Sequence, residues 1–256
     1  MCDILIAPAR LFRRVLLMSL LKVGAPGLGA GWQGLQRRGS RRFGVPPGGA
    51  MDDHAASWAN RLVGNELGVP VLELLWGGAR VEVLQHTHVA ITGAPARASV
   101  PLWRAVAVKA GRVLEFEPGS SGVWIYLAAG SKDCGGAPWN EIREHSAPPP
   151  FRVWPGPQRE IFSDAFFEQE WTVTTQSNRV GYRLLGEPLN SPTQELLSEP
   201  VRVGTIQVPE NGQPIVTMRD GPTVGGYPKL GMVDPADLSW LTQCRPGQKI
   251  RFVAAK

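Results

Sequence analysis

The sequence predicts an all-β protein. Two observations carry that expectation. Thirty glycines and 23 prolines in 256 residues cut the chain into short runs. Those runs are strand-length pieces of alternating or clustered apolar residues, and long helical periodicity is scarce. Hydrophobic residues make up 43%, enough for one large or two modest domains with a buried core.

Taken in order, the first strand signal is Leu21-Lys22-Val23. The Gly27–Gly31 run has the look of a dinucleotide loop, but no helical pattern follows it. A glycine- and proline-rich loop from Phe43 leads to Asp52, a plausible N-cap. Beyond it Ala55, Trp58, Ala59 and Leu62 repeat at helical spacing until Gly64 stops the run. VLELLW (71–76), ARVEVL (79–84), THVAITGA (87–94), AVAVKAGRVLEF (105–116) and GVWIYLA (122–128) then read as strands. Ser146 to Pro150 is a stiff extended linker and the clearest internal boundary.

Beyond the linker a short helix is expected from Asp164 to Trp171, with strands at Thr172–Thr175 and Tyr182–Leu185. Val201–Val208 and Gln213–Met218 form a hairpin around Pro209-Glu210-Asn211-Gly212, where Asn-Gly supplies a turn with positive φ. Gly225-Gly226-Tyr227-Pro228 follows, with two glycines that permit close backbone approach and a hydroxyl beside them. Asp234-Pro235 opens a last helix reaching Gln243, and Lys249–Val253 is a closing strand. KAGRVLEF (109–116) and RPGQKIRF (245–252) echo one another faintly, which fits two similar halves.

The net charge of +5 is not a nucleic-acid signature, because its distribution is uneven. Residues 1–50 hold Arg10, Arg13, Arg14, Lys22, Arg37, Arg38, Arg41 and Arg42 against Asp3 alone, so the remainder is slightly acidic. The four arginines between 37 and 42 suit a solvated turn or a contact with another protein chain. Cys2, Cys134 and Cys244 are widely spaced, with no CxxC pair, which fits a reducing compartment and gives no zinc site. His86 and His88 alternate on a strand and share a face, but no third ligand follows, so no metal is expected. Arg13-Arg14 before a short apolar run resembles a signal sequence, yet it ends at Lys22 with no small-residue cleavage site. No run approaches the ~20 apolar residues of a membrane span. A cytoplasmic protein is expected, binding neither membrane nor nucleic acid. There is no GxxxxGK[ST] and no GxSxG, so neither a P-loop nor a nucleophile elbow is expected.

Two stretches carry a specific resemblance. GTIQVP-x-x-GxPIV followed by GGYPK (204–229), and FGVPPGGAMD with RLVGN (43–65), are similar to the family of the 5-oxoprolinase C subunits. The same family includes the carboxyltransferase domains of urea amidolyase and allophanate hydrolase subunit 2. Shorter phrases agree: AITGA, VPLWR, AGRVL and YLA. The likeness runs over most of residues 21–256. It implies two cyclophilin-like β-barrel domains with a few short helices, divided into 20–147 and 148–256. Residues 1–19 form an unmatched extension, in which Met18 is an alternative start.

Gln176, Arg179 and Tyr182 sit in QSNRVGYRL (176–184), where the family carries QS-[DN]-R-x-GYRL. Arg179 offers a fork for a carboxylate or phosphate, and Gln176 or Tyr182 an orienting group for a carbonyl. The competing reading of the arginine is a surface salt bridge. Gln207, Gly225, Gly226, Tyr227 and Lys229 stand at matching family positions, and with the first three residues they form the expected substrate site. Departures cluster nearby. Asn178 replaces an aspartate, Pro222-Thr223-Val224 replaces Gln-Thr-Thr, Pro200 replaces a glycine, and Gly34 replaces an aspartate. A glycine-rich family segment is missing after Asp133.

The resemblance implies a component like the C subunit of an ATP-dependent 5-oxoprolinase, a hydrolase complex that opens the ring of 5-oxoproline to give glutamate. Partner proteins of the B and A types complete it, with a small-molecule substrate and ATP bound through the complex. Two alternatives stand beside it. One is biotin-dependent carboxyl transfer of the urea amidolyase type, with biotin on a partner carrier. The other is a non-catalytic regulatory or binding relative.

Overall fold

The computed structural model describes residues 19–191 and 196–256. The extension before Ser19, with its alternative start and its Arg13-Arg14 run, lies outside the described residues. The described residues divide into two compact units, those up to 35 with 52–144 and residues 36–51 with those from 145 to 256.

The first unit contains strands β1 (Leu21–Pro26) and β2 (Ala30–Gln33), helix α1 (Asp53–Leu62), and β3 (Val71–Leu75), β4 (Ala79–Val83) and β5 (Thr87–Gly93). It continues with β6 (Arg97–Ala98), β7 (Ala105–Val108), β8 (Val113–Glu117) and β9 (Trp124–Gly130). They form two sheets, ordered β1-β4-β8-β6 and β2-β3-β9-β5-β7. Alternation along β4 turns Ala79, Val81 and Val83 inward, where they join Leu72, Leu74, Val89, Ile91, Leu114, Phe116, Ile125 and Leu127 in one core. Strand β9 is buried on both faces, because α1 packs across it and β5. The start of that helix is fixed twice. Asp52 accepts from the Ala55 N–H at 3.0 Å, and the Asp52 N–H donates at 2.8 Å to the Tyr126 hydroxyl. Tyr126 in turn donates to the buried Glu73 carboxylate at 2.8 Å. Burial, reinforced by the charges of Glu73 and Asp52, pushes the Tyr126 phenol well above its ordinary value.

The second unit contains β10 (Phe151–Pro155), helix α2 (Ala165–Glu168), β11 (Trp171–Val173), β12 (Gly181–Leu185), β13 (Glu199–Pro200), β14 (Thr205–Gln207) and β15 (Ile215–Thr217). It ends with β16 (Val224–Gly225), β17 (Lys229–Val233), helix α3 (Pro235–Leu241), β18 (Lys249–Ile250) and β19 (Phe252–Ala254). Eight strands run in the order β18-β11-β12-β15-β14-β17-β10-β19. Only Arg251 separates β18 from β19, so one stretch of chain forms both borders and the sheet curls into a nearly closed barrel. Phe151, Phe166, Trp171 and Phe252 fill one end, with ring centroids 4.8–5.8 Å apart. Strands β13 and β16 pair apart from the barrel as a two-stranded ribbon. Segment 36–51 also belongs here. Gly48 N–H donates to the Arg219 carbonyl at 2.9 Å, and the guanidinium of Arg41 bonds the Val201 carbonyl.

The all-β expectation with a few short helices holds. Three local expectations are corrected. The helix expected over 164–171 stops at Glu168, because Trp171 pairs with Ile250 in β11 and its indole caps the Phe166 carbonyl. Val201 to Val203 is not strand: Gly204, at φ +88°, turns the chain before β14 begins. His86 precedes β5, so it does not share a strand face with His88. The echo between the halves has a structural counterpart. Gly111 and Gly247 both take positive φ before a strand, and Phe116 and Phe252 are buried in their own units.

Candidate functional site

The expected site residues all lie in the second unit, in two groups. Gln176, Arg179 and Tyr182 belong to the connection from β11 to β12 and to β12 itself. Gln176 is exposed in a turn. The Tyr182 side chain points inward and donates its hydroxyl to the Thr242 carbonyl at 2.5 Å. Arg179 forks onto Asp220, with Nε 2.6 Å and Nη2 3.1 Å from the two carboxylate oxygens, and also donates to the Gly49 carbonyl at 2.9 Å. Its anion is therefore already present in the fold. Asn178 accepts from the Val180 and Gly181 N–H groups, at 2.8 and 3.3 Å, and shapes the loop that presents the arginine.

Gln207, Gly225, Gly226, Tyr227 and Lys229 come together. Gln207 and Lys229 face each other across β14 and β17, while Glu199 and Gly225 face each other across the β13–β16 ribbon. Lys229 links the two pairs. Its ammonium lies 3.1 Å from Glu199 Oε2, 3.2 Å from the Gly225 carbonyl and 3.5 Å from the Tyr227 carbonyl. Only 5% of the lysine side chain is exposed. Gln158, on the connection after β10, clamps the same place from the other side. It donates to Glu199 Oε2 at 3.4 Å and accepts from the Lys229 N–H at 3.0 Å. Hydrogen bonds from Lys229 and then Gln158 hold the Glu199 carboxyl below its ordinary range.

The glycines serve the close approach expected of them. A Cβ on Gly225 would meet Gln207 Oε1 at 2.6 Å, and one on Gly226 would meet the Leu196 carbonyl at 3.1 Å. Gln207 Nε2 donates to the Thr217 hydroxyl at 3.0 Å. In the same segments Leu197, Val224 and Tyr227 leave apolar surface in solvent, with 89%, 56% and 50% of their surfaces exposed. Sequence reasoning missed Gln158, Glu199 and Thr217 as members. Glu199 had a signal, since it adjoins the Pro200 departure; Gln158 had none, because only the fold carries it across to Lys229. Among the described residues there is no group of three or more His, Cys, Asp or Glu suited to a metal ion, and no helix long and apolar enough to cross a membrane. Burial pushes the Cys244 thiol far up, so it is no nucleophile.

The family model for the carboxyltransferase domain, subdomains A and B, matches residues 43–134 and 131–254. This chain belongs to the carboxyltransferase-domain family. The family match is in two pieces that overlap at 131–134. Within the family the chain is 34% identical to the C subunit of 5-oxoprolinase from Escherichia coli K12, covering 91% of each protein. That alignment spans 282 positions, more than the 256 residues here, so the relative carries residues this chain lacks. The corresponding 5-oxoprolinase C subunit of Haemophilus influenzae is 31% identical over 87% of each protein. Urea amidolyase of Saccharomyces cerevisiae is 27% identical over 85% of this chain, which spans 16% of that protein. Among solved structures, TTHA0988 superposes with a TM-score of 0.82 at 30% identity, over 91% of this chain and 56% of that one. This chain thus spans about half of that solved protein. The urea amidolyase of Kluyveromyces lactis shares the fold, with a TM-score of 0.84 at 24% identity over 92% of this chain and 19% of that one.

Proposed function

We propose that this protein is the C-type subunit of an ATP-dependent 5-oxoprolinase, a cytoplasmic hetero-oligomer that hydrolyses the cyclic amide of 5-oxoproline. The supporting observation is 34% identity to a named 5-oxoprolinase C subunit, extending over nine-tenths of both proteins. In this reading ATP is held by a B-type or A-type partner, since this chain has no P-loop sequence. Gln207, Gly225, Gly226 and Tyr227 are the substrate-binding residues together with Glu199, and Lys229 holds them together. Arg179 and Tyr182 are bonded elsewhere, to Asp220 with the Gly49 carbonyl and to the Thr242 carbonyl, and Gln176 is exposed in a turn. The exposed apolar surface of Leu197, Val224 and Tyr227 is suited to burial against a partner that completes the site.

The test is affinity purification of the tagged protein from its own cells, with the co-purifying chains identified and assayed together for 5-oxoproline-dependent ATP hydrolysis. A B-type partner with turnover is the expected result. The same partner without turnover identifies a regulatory relative. A biotinylated partner identifies carboxyl transfer of the urea amidolyase type.

A further inference from the structure

Resting on that reading of the site, we infer that Glu199 and Gln207 form a hydrogen-bond-accepting subsite for the N–H of a neutral amide or urea-type group. Lys229 acts there as a positioning residue that the ligand does not touch.

The donors and acceptors decide the polarity. A lysine ammonium has three N–H donors, and three acceptors already surround Lys229 at 3.1, 3.2 and 3.5 Å. With 5% of its side chain exposed, it offers nothing to an arriving carboxylate. The acceptors are left open. Both bonds to Glu199 end on Oε2, so Oε1 has no partner among the described residues, and 44% of the side chain is exposed. Gln207 is buried, and its Nε2 bond to Thr217 turns Oε1 toward Gly225, where no hydrogen bond from the described residues meets it. The positive charge on its cross-strand neighbour Lys229 favours the same orientation of that amide.

Both acceptors flank Gly225, one as its ribbon partner and one through space. A side chain there would press on the Gln207 oxygen at 2.6 Å and force it away, whereas glycine leaves it in place. The subsite therefore matches a group that presents N–H and carries no charge, such as a lactam or a ureido group. An anion is repelled by the Glu199 carboxylate. A substrate bearing both a lactam and a carboxylate would enter amide end first, with its carboxylate held elsewhere in the complex.

Ligand-observed NMR on the full chain, alone and in its purified complex, tests this with three probes: 2-pyrrolidinone, N-methyl-2-pyrrolidinone and glutarate. Pyrrolidinone is expected to bind and the other two to bind at least about tenfold more weakly, as for loss of a hydrogen bond to a charged acceptor. Glu199→Ala should remove most of the pyrrolidinone signal, and Glu199→Gln, which keeps an acceptor without the charge, should retain part of it. Lys229→Met should move the pH at which pyrrolidinone binding is lost upward, a shift that a purely structural lysine would not produce. Equal binding of the N-methyl compound, preferential binding of glutarate, or no pyrrolidinone binding in either preparation overturns the inference. Persistence of 5-oxoproline-dependent turnover in the Glu199→Ala complex overturns it too, while leaving the 5-oxoprolinase reading intact. N–H-selective binding by a complex that does not turn over 5-oxoproline has the opposite meaning.

Discussion

Gly225 and Gln207 are fitted to each other: a methyl group on the glycine would stand 2.6 Å from the glutamine's amide oxygen. The contact is with the free end of a side chain, so Gly225→Ala is accommodated by turning Gln207 away. That breaks its 3.0 Å bond to Thr217. The expected cost is about 1–2 kcal/mol in denaturant unfolding, with loss of pyrrolidinone binding. Unaltered binding by this variant would show that Gln207 is not part of the subsite.

The Arg179–Asp220 fork gives a second expectation. Both bonds, and the one to the Gly49 carbonyl, depend on the planar guanidinium. Arg179→Lys should destabilise the protein by about 1 kcal/mol, because a lysine cannot reproduce the fork. Asp220→Ala should do at least as much harm, since it leaves the guanidinium without its counter-charge. Urea denaturation of the two variants checks both.

Asn178 uses its side-chain oxygen in a way an aspartate can share. Only its side-chain oxygen is used, as an acceptor for two backbone N–H groups. Asn178→Asp keeps that acceptor and should change stability by no more than about 0.5 kcal/mol. Asn178→Ala should cost about 1 kcal/mol. A melting-temperature comparison of the three proteins separates these outcomes.

In the first unit, the Tyr126 hydroxyl both donates to Glu73 and accepts from the Asp52 N–H. Tyr126→Phe leaves a buried donor and a buried carboxylate each short of a partner. The expected loss is about 2–3 kcal/mol, with no change in pyrrolidinone affinity. A change in affinity at constant stability would contradict this division of roles.

The pH dependence follows from Glu199. Its carboxyl is held down in the folded protein by hydrogen bonds from Lys229 and Gln158. A carboxyl whose folded value lies below its unfolded value contributes fully above the unfolded one. That contribution is lost as the pH falls through the folded value. Binding at this site should therefore hold from neutral pH down through the ordinary glutamate range and be lost only as the pH falls below it. Carboxyl carbon shifts followed by NMR would place the Glu199 midpoint below that of an exposed glutamate.

Local chemistry was legible wherever it acts over short distances. Asp52 and Asp234 cap their helices as read, because capping bonds span two or three residues. The Pro209–Gly212 turn joins β14 to β15, with Gly212 at φ +70°. Residues on both sides of it also proved to be neighbours, since Gln207 before the turn and Gly225, Gly226, Tyr227 and Lys229 after it come together. Trp171 was misread as helical because its strand pairing with Ile250 lies 79 residues along the chain and leaves no periodic trace. Arg179 and Tyr182 look like ligand-binding groups in one dimension, and only their distant partners Asp220 and Thr242 show that the fold already uses them.

The sequence by itself determined the all-β class, the helix starts and the family, and it singled out the segment of the candidate site, for these rest on local pattern and motif. The tertiary structure alone decided which donors and acceptors there are already engaged. Gln158, Glu199, Gln207 and Lys229 come from four separate stretches, and whether a lysine can bind an anion depends on whether its three donors already have acceptors. Strand pairing answers that by setting Glu199 against Gly225 and Gln207 against Lys229, because hydrogen bonds are made across space and the sequence records no distance.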